Sequence, residues 1–135
     1  MARFTHELPP PVAEAFALFD EGDAHEAHER LEQVWRTMPR GEERIFWQGL
    51  IQAMVARVHW ERGRFDSART LIARARPKLA RSTARYLGLD VGTLLARLDT
   101  WDACLAARRV PAADEATLGA AVLGSRPRDG RRPAR

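Results

Sequence analysis

The stretch DAHEAHERLEQVW, Asp23 to Trp35, holds two histidines and four carboxylates in thirteen residues. Imidazole together with carboxylate is a donor set suited to Zn, Mn or Fe, and a His–Glu pair is also the usual equipment for general acid–base work. Which role applies depends on where a helix would point each group. At about 100° per residue, Ala24, Ala27, Leu31, Val34, Trp35 and Met38 form one apolar stripe. Glu26, Glu29, Arg30 and Gln33 fall on the far side, where solvation accounts for them. His28 lies about 20° from Trp35 at the margin of the stripe, with Glu32 just beyond it and His25 slightly further out.

A second segment supplies a complement. ERIFWQGLIQAMVARVHWERG is apolar almost all round, as expected of a helix surrounded by others. Within it Gln48, Gln52 and His59 share one face, within about 40° of each other. A buried amide or imidazole left unpaired costs about 1–3 kcal/mol, so a polar partner is expected across that face, from His28 and Glu32. Three readings follow. The groups form a structural hydrogen-bond network between helices; or His28 and Glu32, with His59 or His25, bind a divalent metal; or a His–Glu pair acts as acid and base on a small molecule. Trp35, Gln48 and Gln52 would then line the ligand site. His25 and His28 are three apart, so this is not the zincin H-E-x-x-H spacing. Gly-rich phosphate loops, G-x-S-x-G and CxxC are absent from the sequence.

Helical periodicity runs through almost the whole chain, and no stretch alternates with period two. Helices are expected over about Val12–Asp20, Ala24–Thr37 and Glu42–Arg62. A fourth starts near Asp66 and should be kinked or ended by Pro77, and a fifth covers Val91 to about Arg108 behind an Asp90 N-cap. A further short helix is expected after Pro111. Gly22, Ala27 and Leu31 recur 41 positions later as Gly63, Ala68 and Ile72. A glycine closing one helix and a small residue opening close approach to the next describe a tetratricopeptide-like α-hairpin, made twice. Two hairpins are too few for a solenoid. The expected fold is an all-α bundle of about five helices with the third central and no sheet: one domain over residues 1–124, then a disordered basic tail at 125–135.

At 135 residues with 45% hydrophobic and 30% charged side chains, the chain can bury a core of its own. The lone Cys104 rules out an internal disulfide and fits a reducing compartment. No apolar run reaches the ~18 residues of a membrane span, and MARFTHELPPP lacks an apolar signal core, so a cytoplasmic protein with no membrane partner is expected. The formal charge of +4 is all in residues 126–135, which hold five Arg and one Asp. Arg74, Lys78, Arg81 and Arg85 add a basic row without interleaved aromatics, so base stacking is not provided for. Specific nucleic-acid binding is therefore not expected.

AHERLEQVW followed by FWQGLIQAMVARVHWERGRFDSARTLI resembles the DUF309 family of small all-helical bacterial and archaeal proteins of unknown function. The likeness lies in an H-x-x-x-E-x-x-W motif at His28, Glu32 and Trp35, in QGLIQ at Gln48–Gln52, and in YLGLDV at Tyr86–Val91, and covers about residues 12–100. The family motif is suggested to bind metal. Ala24 and His25 stand where the family usually has aromatic residues, which would open the pocket wall or add a ligand. The resemblance implies a fold and a site location, not a reaction. Two functions follow from this reading: a metal- or small-ligand-binding protein with its site between helices two and three, or a helical interaction module holding a protein partner or a second copy. In the second, the His/Glu/Gln cluster is only a hydrogen-bond network, and Trp60 and Trp101 are candidate docking aromatics.

Overall fold

A computed structural model describes residues 10–81, 85–86 and 88–119. Five helices follow in order: α1 (Pro10–Asp20), α2 (Ala24–Arg36), α3 (Glu42–Glu61), α4 (Phe65–Ala80) and α5 (Val91–Ala106). Side-chain caps start two of them. Asp23 accepts from Glu26 N at 3.2 Å to open α2, and Asp90 accepts from Thr93 N at 3.0 Å to open α5, each satisfying one amide that a helix start leaves over.

The 41-residue echo is a structural repeat. Gly22 and Gly63 take positive φ of 97° and 76°. At the first, Gly22 N donates to Phe19 O at 3.0 Å and Asp23 N to Leu18 O at 2.9 Å. At the second, Gly63 N donates to Trp60 O at 3.0 Å and Arg64 N to His59 O at 2.9 Å. This is the Schellman stop, made twice with the same bonds. Ala27 and Ala68 are then fully buried, and Leu31 and Ile72 pack beside them. α1 and α2 thus form one hairpin, and α3 and α4 the other.

α3 is central: α2 packs on one side of it and α4 on another, with α5 against α4. Its Trp47, Leu50, Ala53 and Met54 are all buried. Gly49 brings α4 close, since a Cβ there would lie 2.9 Å from Lys78 Cβ and 3.1 Å from the Ala75 carbonyl oxygen. Trp60 and Trp101 meet edge to face at 4.9 Å, and both are buried. They are core residues and cannot serve as docking aromatics.

Of the kink or end expected at Pro77, an end is excluded, since α4 continues to Ala80. Pro77 and Ala73, whose carbonyl the proline ring disturbs, are both exposed, while Ala75 and Leu79 anchor the helix from its buried side. Between α4 and α5 lies a minimal antiparallel pair, β1 (Arg85–Tyr86) and β2 (Leu89–Asp90), where no strand was expected. Residues 111–118 form a turn and a strap, with helical backbone at Gly119; the remainder of the short helix expected after Pro111 lies outside the described residues. Side chains of the body take the bonds that a helix would have made internally. Trp101 Nε1 donates to Glu115 O at 2.7 Å, Arg97 to Asp114 O at 2.9 Å and Arg57 to Ala116 O at 3.2 Å, while Asp20 accepts from Leu118 N at 2.8 Å. The domain end at 124 and the tail at 125–135 lie outside the described residues.

Candidate metal centre

With Asp23 capping α2 and Ala27 and Leu31 holding it to the core, the flank between buried and exposed faces presents His25, His28 and Glu29. One ligand atom from each lies within 4.8 Å of the other two, the single such grouping of three among the described residues. His25 Nε2 stands 3.3 Å from Glu29 Oε2, and the His25 and His28 rings meet edge to face at 5.1 Å. Tetrahedral coordination at about 2.0–2.1 Å places donors about 3.3 Å apart. The His25–Glu29 pair already has that spacing, and rotamer adjustment of His28 would complete it. His28 is half-buried, and its Nδ1 is buried with no hydrogen-bond partner. No second bond therefore selects which ring nitrogen carries the proton.

The other expected site residues do not join this group. Glu32 pairs within its own helix with Arg36 at 3.4 Å. Gln52 accepts from Lys78 Nζ at 3.0 Å, so α4 supplies the partner that α2 was expected to supply. His59 sits at the α3–α4 turn, and its Nδ1 is buried and unpartnered like that of His28. Burial, with Arg64 and Arg62 nearby, lowers its pKa from the ordinary 6.5. Trp35 Nε1 donates to Arg44 O at 3.0 Å and clasps the end of α2 to the start of α3. Gln48 lines an open cavity of about 450 Å³ with Arg40, Gly41, Arg44 and Ile45.

Two expectations are corrected by this geometry. Among the described residues, no hydrogen bond or ion pair joins any two of His28, Glu32, Gln48, Gln52 and His59, so the expected inter-helix network does not form. Nor are His28, Glu32 and His59 grouped; the ligand atoms that converge belong to His28, to His25, the alternative named beside His59, and to Glu29. Glu29, assigned to the solvated face by the helical wheel, was the residue missed. The signal was its i,i+4 spacing from His25, which puts the two about 40° apart.

A larger cavity of about 540 Å³ runs between α4 and α5. Its charges are already matched: Arg69 is bound to Asp102 and Arg76 to Asp99, both at 2.8 Å. The Arg76 hydrogen bond holds the Asp99 carboxyl below its usual range. A ligand there would have to break ion pairs before making new ones.

Two helical hairpins closed by a fifth helix, with a histidine–carboxylate group on the second helix, define a small helical-hairpin protein. Residues 12–71, which run from α1 into the first half of α4, match the family model described as a domain of unknown function, DUF309. A curated relative, an uncharacterised protein of Aquifex aeolicus (strain VF5), is 29% identical over 88 residues, 65% of this chain and 26% of the relative. The chain thus spans about a quarter of that relative's length. No solved structure matches.

Proposed function

We propose that this chain is a divalent-metal-binding helical domain whose ligands are His28, His25 and Glu29. The convergence of three ligand atoms within 4.8 Å carries the reading. His28 also carries a buried Nδ1 without a hydrogen-bond partner, but His59 does too, so the convergence and not the orphaned nitrogen distinguishes the site. Two imidazoles and one carboxylate suit Zn, Mn or Fe, with water completing the shell. His25 and Glu29 are 58% and 50% exposed, so the site does not exclude water and is not built for acid–base chemistry on a sequestered substrate. The interaction-module reading loses its apolar surface: Trp60 and Trp101 are buried, and among the described residues the exposed large hydrophobic side chain is Val110.

Equilibrium dialysis of the untagged full chain against Zn²⁺ and Mn²⁺, read by elemental analysis, tests the proposal. Near-stoichiometric metal is expected, abolished by His28→Ala and weakened at least tenfold by Glu29→Gln. Glu32→Gln should leave binding unchanged, because Glu32 is engaged with Arg36. No metal uptake, or uptake that survives His28→Ala, would overturn the reading.

A further inference from the structure

We infer that the cavity at the α2–α3 turn binds the carboxylate or phosphate group of a small molecule. It occupies about 450 Å³ and is lined by Arg40, Gly41, Arg44, Ile45 and Gln48, so its polar side chains are two guanidiniums and a carboxamide, without a carboxylate.

Arg44 is fixed before any ligand arrives. Its guanidinium lies 4.1 Å from the centre of the Trp35 ring, and Nη1 donates to Met38 O at 2.8 Å. Trp35 is itself held by its bond to Arg44 O. Stacking and one backbone bond remove most of the rotamer freedom that an arginine would otherwise lose on binding. They leave Nε and Nη2 with no acceptor among the described residues. Arg40 is exposed, and neither it nor the Gln48 side chain has a hydrogen-bond or ion-pair partner among the described residues. Several arginines elsewhere are paired with carboxylates, among them Arg57 with Glu61, Arg69 with Asp102, Arg76 with Asp99 and Arg81 with Glu42.

The carboxylates nearest in sequence do not cancel this charge. Glu42 is taken by Arg81. Glu43 lies about 200° around the helix from Ile45 and points away from the cavity. A planar fork of N–H donors matches carboxylate and phosphate oxygens two at a time, and Gln48 adds a neutral donor that would orient the group. Ile45 offers an apolar wall for the carbon skeleton behind it. Gly41 leaves the cavity floor without a side chain, and a Cβ there would meet nothing within 4 Å. Trp35 is a positioning residue here, acting through Arg44. His28 is roughly 10 Å from Trp35 along α2, so the anion site and the metal site stand or fall separately.

Amide NMR spectra of the full chain, titrated with inorganic phosphate and separately with acetate at constant ionic strength, give the test. Saturable shifts are expected at Gly41, Arg44 and Gln48, with at least tenfold weaker binding in Arg40→Gln and in Arg44→Lys. Arg44→Lys keeps the charge and loses the fork, and Arg40 is exposed, so the Arg40 variant reports binding even if the Arg44 variant folds poorly. Arg64→Gln, which removes an exposed charge at another turn, should change nothing. Shifts that never saturate, or equal weakening in Arg64→Gln, would reduce the effect to diffuse charge attraction and overturn the inference.

Discussion

Single residues here are decided by which neighbour reaches them first. Glu32 and Gln52 were expected to face each other; Arg36 and Lys78 take them instead. His59 is left with a buried, unbonded Nδ1 and a pKa below 6.5, lowered first by burial and then by Arg64 and Arg62. Its consequence has a definite sign. Between the lowered folded value and the ordinary 6.5, the unfolded chain holds a proton that the folded chain does not. The stability tied to neutral His59 is therefore full above about pH 6.5 and is lost as pH falls through the folded value. Urea midpoints measured between pH 7.5 and 5 should decline, and His59→Gln should flatten part of that decline. An unchanged slope in the variant would show that carboxylates alone set it.

At the scale of elements, the two hairpins offer an internal control. Gly22 and Gly63 hold equivalent positive φ, and a Cβ at either would meet nothing within 4 Å. Alanine at either position therefore tests backbone conformation without a packing term. Each substitution should cost about 1–2 kcal/mol, the penalty for a left-handed residue bearing a side chain. Chemical denaturation of the two variants should give matching losses within about 0.5 kcal/mol. A large difference would mean that the repeat in bonding is not a repeat in energy. The helix stops themselves were legible in the sequence, since glycine followed by a polar residue and a buried alanine has few other uses. Whether α4 would end at Pro77 or pass through it was not legible, because that depends on Ala75 and Leu79 being held against α3.

For the molecule as a whole, the strap at residues 111–118 closes the bundle. Leu118 and Ala116 are buried beside the Phe19–Trp101–Trp60 cluster, and Arg57 lies with its guanidinium 5.0 Å from the centre of the Phe19 ring. Leu118→Ala should cost about 2–5 kcal/mol, the range for a fully buried leucine, measurable as a lowered denaturation midpoint followed by tryptophan fluorescence. A loss below about 1 kcal/mol would mark the strap as loosely attached. Among the described residues, no helix is long and apolar enough to cross a membrane. The basic row on α4 is also quieter than its charge suggests: Lys78 is drawn to Gln52 and the Arg74 carbonyl, and Arg81 to Glu42.

By itself the sequence determined the all-α class, the two hairpins, the central place of α3 and the stretch of α2 that carries the histidine–carboxylate group. Each follows from local rules: a 3.6-residue apolar period, glycine stops, Asp caps and small residues at close approaches. Tertiary structure decided which polar side chains meet. A helical wheel places side chains on a face, but long polar side chains reach several ångströms along and around the helix. Glu29 could therefore reach His25 from the solvated side, while Gln52 turned to α4. The strap was equally out of reach, because its backbone is held by Asp20, Arg57, Arg97 and Trp101, the first of them 98 residues from its partner. No local pattern records bonds of that span.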